Sequence, residues 1–306
     1  MNITLRRFAG DVGTDDPVAV EGGRTQWGVG GVPAEGCRFV QAPVGVVTHQ
    51  PAEMTVRVGA GTTVAELHHA LGQHDQTTIL EGPPDATVGG LLAVGHSGIR
   101  RLRHGPVRDA LLEARYVSAA GRLVTAGGPT VKNVTGFDLC RLLVGSLGTI
   151  GLIGEVVLRT RPAPEASQWL AAPVAPEVAR SSFFRPASIL WDGDTTWVLL
   201  EGHGVDVEAE QVSGADIGFK PVDGPPELPP HRWSVPPSDI RARRPTSGRY
   251  VAEIGVGMLH CDAPAPPVEV AEPIVALHRR LKDQFDPEGR LNPGRDPLQP
   301  IAGTTP

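Results

Sequence analysis

Short β-branched and apolar runs separated by glycine-bearing turns dominate the chain up to about Arg161. Five of them predict strands, at Val18–Glu21, Thr55–Val58, Leu112–Ser118, Arg122–Thr125 and Ile153–Arg159, the third and fourth joined by a turn at Ala120-Gly121. One helical period stands out between them. Thr63 can cap a helix with Glu66 three residues on, and Val64, Leu67 and Leu71 then share a face. A second, short helix is expected from Asp138, with Leu139, Leu142 and Leu143 inward, stopping at Gly145.

Beyond Arg161 the pattern changes. Pro162 and Pro164 interrupt the chain, and six elements follow: Trp169–Val174, a helix near 176–184, Ser188–Trp191, Trp197–Glu201, a helix near 206–212, and Tyr250–Val256. That βαββαβ order suggests a ferredoxin-like α+β unit. A final helix carries Ile274, Leu277, Leu281 and Phe285 on one stripe and ends before Asp286-Pro287. No internal repeat is found.

Composition narrows the function classes. With 306 residues the chain can bury a core in two modest domains. Gly (38) and Pro (30) are frequent, yet below the level that signals disorder, and the prolines gather in 221–237 and at Pro264, Pro266 and Pro267. A net charge of −6 does not favour condensation onto a polyanion, which argues against a nucleic-acid partner. No run approaches the ~18 apolar residues of a membrane span, and Met1 to Gly10 lacks the apolar stretch of a signal peptide, so a cytoplasmic protein is expected. Cys37, Cys140 and Cys261 are too few and too dispersed for a disulfide framework, a zinc site or an iron–sulfur cluster.

Three segments could carry chemistry. In the first, strand 18–21 runs into Gly22-Gly23-Arg24-Thr25-Gln26-Trp27-Gly28, where consecutive glycines let backbone N–H groups point into one concavity, as a pyrophosphate requires. A plain turn would look the same, and neither a Walker loop nor a G-x-G-x-x-G opening a helix is present. The second runs from Pro83-Pro84 through Thr87-Val88-Gly89-Gly90 to His96-Ser97-Gly98, followed by Arg100, Arg101, Arg103, His104 and Arg108. Thr87 can reach a phosphate and the glycines permit close approach; the arginines could equally be a solvated face. The third is Lys132-Asn133-Val134-Thr135-Gly136-Phe137-Asp138-Leu139, then glycines at 145, 148, 151 and 154, which could also be a tight passage from helix to strand.

Taken in this order, the three segments resemble the FAD-binding domain of the vanillyl-alcohol-oxidase (PCMH-type) flavoprotein superfamily, and within it the FAD-binding E subunits of bacterial glycolate oxidases. The matching pieces are Gly22-Gly23, Thr87 to Gly90, Ser97 to Arg101, Arg108-Asp109, Lys132 to Leu139, Gly145 to Gly151, and a closing Phe285-Asp286-Pro287-Glu288-Gly289-Arg290-Leu291-Asn292-Pro293-Gly294-Arg295. Together they cover residues 17–161 and 277–296.

The resemblance implies an α+β architecture: a two-subdomain FAD domain over 1–164, a reduced ferredoxin-like cap over 165–270, and a C-terminal helix and tail over 271–306 that return to the FAD domain. It implies FAD bound by Gly22, Gly23, Arg24, Thr25, Gly28, Pro84, Thr87, Gly89, Gly90, Ser97, Gly98, Arg101, Lys132, Gly151 and Ile153. Attachment should be non-covalent, because Arg24 and Thr25 stand where covalent relatives place a histidine. Arg101, His104 and Lys132 are candidates for the positive charge near a reduced flavin. Relatives acting on D-2-hydroxy acids carry a metal-binding G-D-G-N-x-H stretch. Gly255-Val256-Gly257-Met258-Leu259-His260 lacks its acidic and amide ligands, so no metal is expected, and no catalytic residue is assigned. His203 and His260 are offered for substrate handling against the plainer reading of surface or strand-end histidines. The implied function is an FAD-dependent oxidoreductase subunit oxidising a small 2-hydroxy acid, beside a second flavoprotein and an iron–sulfur protein. A non-catalytic flavin-binding accessory subunit and a flavin-free module are the alternatives.

Overall fold

Alternation of Val56 and Val58 with Arg57, and of Val156 and Leu158 with Glu155 and Val157, gives two strands each with an apolar and a partly polar face. They sit at the centre of a five-stranded antiparallel sheet in the order Val46–Gln50, Thr55–Gly59, Leu152–Arg159, Leu111–Val117, Leu123–Gly127. The computed structural model describes residues 3–128, 138–267 and 269–299. On the apolar face Val56, Val58, Val156 and Leu158 join the main core with Leu67 and Leu71 of the helix Val64–Gly72. That helix starts as its sequence requires, with Thr63 Oγ1 accepting from the Glu66 N–H at 3.2 Å and Glu66 Oε2 accepting from the Thr63 N–H at 2.9 Å. On the opposite face Arg57 Nη1 lies 2.7 Å from Glu113 Oε1 and 3.1 Å from Glu155 Oε1, and Arg115 Nη1 donates to Glu155 at 3.0 Å. Each buried carboxylate thus faces a guanidinium.

The short helix Leu139–Leu143 is capped by Asp138, whose Oδ1 accepts from the Arg141 N–H. Its buried residues are Cys140 and Leu143, whereas Leu139 and Leu142 are half-buried, so the inward face is rotated from the expected one. A parallel pair, Val18–Val20 with Arg38–Val40, and the helix Ile3–Val12 complete this layer, the helix burying Leu5, Phe8 and Val12.

The second layer is one seven-stranded sheet drawn from 166–261. Its order is Lys220–Val222, Ala166–Ala172, Thr196–Gly202, Ser188–Trp191, Tyr250–Glu253, Met258–Cys261, His231–Ser234. The first four form the antiparallel ferredoxin-like arrangement, with helices Pro176–Ser182 and Gly204–Asp216 on one face. The closing strand of that unit is Lys220–Val222 and not Tyr250–Val256 as the sequence suggested; a three-residue edge strand containing Pro221 gives almost no pattern to read. Tyr250–Glu253 instead pairs outward from Ser188–Trp191 and turns through Gly255 and Gly257, both at positive φ, into Met258–Cys261. The proline-rich 221–237 therefore supplies two strands of the sheet's two edges, Lys220–Val222 and His231–Ser234.

Strand register sorts the second face. His260 lies opposite both Arg232 and Val251, and Glu253 lies opposite Leu190. Arg232, His260, Glu253, Val251, Leu190 and Leu199 consequently share the face that packs on Ile99 of the first layer. The sheet is a roof, and its underside carries charge.

The helix Glu272–Phe285 closes the chain, but its stripe is half outside: Ile274 and Leu277 keep 48% and 53% exposure while Phe285 packs on the main core. After it, Asp286 is buried and accepts from Lys282 Nζ and from the N–H groups of Arg290 (3.1 Å) and Leu291 (2.8 Å). Arg290 donates to Ala119 O and Val12 O, and the Asn292 N–H to Val18 O. Among the described residues no helix is long and apolar enough to cross a membrane.

Candidate functional site

The glycine loop leaves the strand Val18–Val20 and lies flush on the second segment. A Cβ on Gly22 would stand 2.5 Å from Thr87 Oγ1, and one on Gly23 only 2.0 Å from the Asp85 carbonyl oxygen, so residues without side chains are required there. Among the described residues none of the backbone N–H groups from Gly22 to Gln26 has a protein acceptor. Successive unpaired N–H groups lining a concavity form an anion site. Arg295 holds the far side of the loop, donating from Nη1 to the carbonyls of Trp27, Val29 and Gly31 and stacking 4.8 Å from the Trp27 ring centroid.

A cleft follows this loop, bounded also by Thr87, Gly90 and Asn292. It shares walls with a cavity over Gly89, Gly151 and Ile153, and with a small chamber between Gln26, His96, Arg101, Arg232 and Met258. Cavity, cleft and chamber form one elongated path from the first layer to the underside of the roof.

Every sequence-derived residue except Lys132 falls among the described residues. Gly22, Gly23, Arg24, Thr25, Thr87 and Gly90 border the cleft, Gly89, Gly151 and Ile153 the far cavity, and Ser97 and Arg101 the chamber. Arg24 is half-exposed, paired with Glu21 at 2.6 Å and stacked on Trp27. Thr87 Oγ1 caps the helix Val88–Val94 by accepting from the Gly90 N–H, and Gly89 packs on the Ala60 backbone. Ser97 Oγ accepts from the Val107 N–H at 3.0 Å, and Gly98 packs against the Glu81 side chain. Gly28 and Pro84 are exposed and line none of these three spaces. Lys132 and the rest of 132–137 lie outside the described residues. His203 is an exposed partner of Glu165, 2.9 Å away, whereas His260 is buried and not a surface residue: its Nε2 lies 2.8 Å from Glu253 Oε1. His104 is pushed down to about 4 by burial and by Arg161, Arg103, Arg100 and Arg185, so near neutrality it carries no charge to offer a flavin.

Several residues of the chamber had no sequence signal of their own. Gln26 and His96 sit inside quoted segments, while Arg232 and Glu253 come together with them through strand register alone. His96 Nδ1 lies 2.6 Å from Gln26 Nε2 and 2.6 Å from Arg232 Nη1. An arginine can only donate, so Nδ1 accepts and the ring carries its proton on Nε2. Burial first, then Arg232 and His260, push His96 down to about 3.

This has a pH consequence. The unfolded chain takes up the His96 proton near its ordinary value of 6.5 while the folded protein does not until about 3, so stability falls as pH drops through that window. His104 acts in the same direction. Between about pH 7 and about pH 5 the wild-type melting temperature should fall, and His96→Gln should lose visibly less over the same span by calorimetry. Equal losses would show that His96 is not neutral in the fold.

Two features fit an extended flavin dinucleotide: the row of unpaired N–H groups suits a diphosphate, and Gln26 Oε1 is a buried acceptor with no partner at the mouth of the chamber. Comparison with known proteins agrees. The family model described as an FAD binding domain matches residues 12–127. Glycolate oxidase subunit GlcE of Escherichia coli (strain K12) is 28% identical over 300 residues, covering 82% of this chain and 84% of that protein. D-lactate dehydrogenase of Archaeoglobus fulgidus is 35% identical over 163 residues, 51% of this chain and 36% of that protein. Among solved structures, an alkyldihydroxyacetonephosphate synthase superposes with a TM-score of 0.67 at 16% identity, over 91% of this chain and 71% of that one, a likeness of fold alone.

Proposed function

From the premise that this chain is an FAD-dependent oxidoreductase built on a PCMH-type FAD-binding domain, we propose that it oxidises a small 2-hydroxy acid of the glycolate or lactate kind. One observation carries the reading: the row of free N–H groups at Gly22 to Gln26 leads through the cleft into a polar chamber under the roof. A dinucleotide gripped at its diphosphate would direct its reactive ring toward that chamber. Gly22 to Thr25 with Thr87 would hold the diphosphate, Gly151 and Ile153 would border the far end, and Ser97, Gly98 and Arg101 would lie toward the ring. Lys132 is proposed for the same site from its motif. When bound, the flavin would accept the hydride, which carries both electrons of the oxidation, while the hydroxyl proton leaves separately. The protein's part is to exclude water, orient the acid and keep positive charge in the chamber through Arg101. Gly28 and Pro84 shape the loops that carry these groups. The loop presents Arg24 and Thr25, which supports non-covalent attachment.

The relatives named as glycolate oxidase subunits support work as one subunit of a complex, and a second flavoprotein and an iron–sulfur protein are the companions proposed for it. All three thiols are buried and raised, Cys140 to about 11 and Cys261 to about 12, chiefly by desolvation, so none is a ready ligand for electron transfer onward.

Anaerobic titration tests the reading. The FAD-loaded chain should lose its visible flavin band when glycolate or lactate is added. A yellow protein that no 2-hydroxy acid bleaches is the accessory subunit; a chain that takes up no FAD removes both readings.

A further inference from the structure

Arg232 is a buried charge with no carboxylate hydrogen-bonded to it. Its side chain keeps 11% exposure. Nη1 donates to His96 Nδ1 and Nη2 to Ser97 O at 2.9 Å, while Nε has no acceptor. The carboxylate beside it, Glu253, stands 3.8 Å away, beyond hydrogen-bond reach. Glu253 Oε1 accepts instead from His260 Nε2, and its Oε2 is buried without a partner. A guanidinium cannot shed its proton, and burying one without an accepting anion is costly. Arg101 lines the same chamber, close enough to Arg232 to disfavour its charge further. His96 adds an Nε2–H donor.

We propose that the chamber under the roof binds one small monocarboxylate, anchored by the Arg232 guanidinium with Arg101 beside it, and rejects dicarboxylates. The proposal deepens the 2-hydroxy acid reading and rests on it for the class of ligand. Selection follows from the remaining walls. With both arginines turned to the first carboxylate, Val29, Val94, Pro230 and Met258 offer no donor side chain, while Gln26 and His96 are engaged with each other, His96 with Arg232, and Ser97 Oγ with the Val107 N–H, so a second carboxylate would be desolvated without a charged partner. Glu253 and His260 are positioning residues: they hold the strand face that aims Arg232 and touch no ligand themselves.

The test uses the FAD-loaded chain titrated with pyruvate, a monocarboxylate with no hydroxyl to oxidise, and with oxaloacetate, its dicarboxylic counterpart. Perturbation of the flavin spectrum gives the Kd and the melting temperature reports occupancy independently. Pyruvate should bind the wild type at least about tenfold more tightly than oxaloacetate. The charge-balanced double variant Arg232→Met/Glu253→Gln, which leaves no lone buried carboxylate, should weaken pyruvate at least about thirtyfold. Arg232→Lys, which keeps the charge but loses the planar fork, should weaken it by about tenfold, and it answers the question should the double variant fail to fold. Unchanged pyruvate affinity in either variant, or equal affinity for the two acids, overturns the proposal. Unchanged affinity with flavin still bleached by glycolate would leave the oxidase reading standing. Pyruvate binding lost in the variants, in a protein no 2-hydroxy acid reduces, would leave the anchor and remove the oxidase.

Discussion

Replacing Gly23 by alanine is expected to strip the protein of its FAD. The new Cβ would lie 2.0 Å from the Asp85 carbonyl oxygen, and the obstacle is backbone, which cannot swing aside as a side-chain end can. The loop must lift from the 83–87 turn, carrying the N–H groups of Gly22 to Gln26 out of line. Each hydrogen bond to a charged group contributes about 1.5–3 kcal/mol, so losing two raises the FAD Kd by at least about a hundredfold. Fluorescence titration of the deflavinated protein measures it. Gly28→Ala in the same loop is the control: no atom lies within 4 Å of its added Cβ, and affinity should stay within about twofold. A Gly23→Ala protein with unaltered FAD affinity would show that this loop is not the holder.

Asp286→Ala should cause the largest loss of stability. The side chain is 2% exposed and accepts from the Lys282 ammonium and from two backbone N–H groups, at Arg290 and Leu291. Removing it strands a partly buried cation and two buried donors, a change that costs about 3–5 kcal/mol. The urea midpoint should fall accordingly, with an unaltered slope. FAD affinity should weaken in parallel, because Arg295, which follows a few residues on, braces the glycine loop. Full stability with Asp286 gone would mean that the tail is not what fastens the first layer.

What could be read from the sequence was whatever is local. The Thr63–Glu66 cap, the apolar face of Val64, Leu67 and Leu71, and the strand Ser188–Trp191 depend on residues a few positions apart. Leu5, Phe8 and Val12 carry the same helical spacing at the start of the chain, though in a segment rich in polar residues that gives the period little contrast. The glycine loop was legible because glycine reports backbone demands directly. The chamber was not: Arg232 lies in a proline-rich stretch whose strand is four residues long, and it meets His96 across 136 positions by a register no local pattern encodes. The histidines show the same limit. Nothing in the spacing of His203 and His260 distinguishes them, yet one is solvated and the other lies beneath a sheet against Glu253.

The anchoring of the glycine loop by Arg295 also ties flavin binding to a remote part of the chain. The loop lies near residue 22, and its brace follows some 270 positions later. A chain lacking the Arg295 segment would lack the contacts at Trp27, Val29 and Gly31. Flavin retention should therefore depend on a contact between segments far apart in the chain, and a cut between them that frees the Arg295 segment should release the cofactor with the loop itself intact.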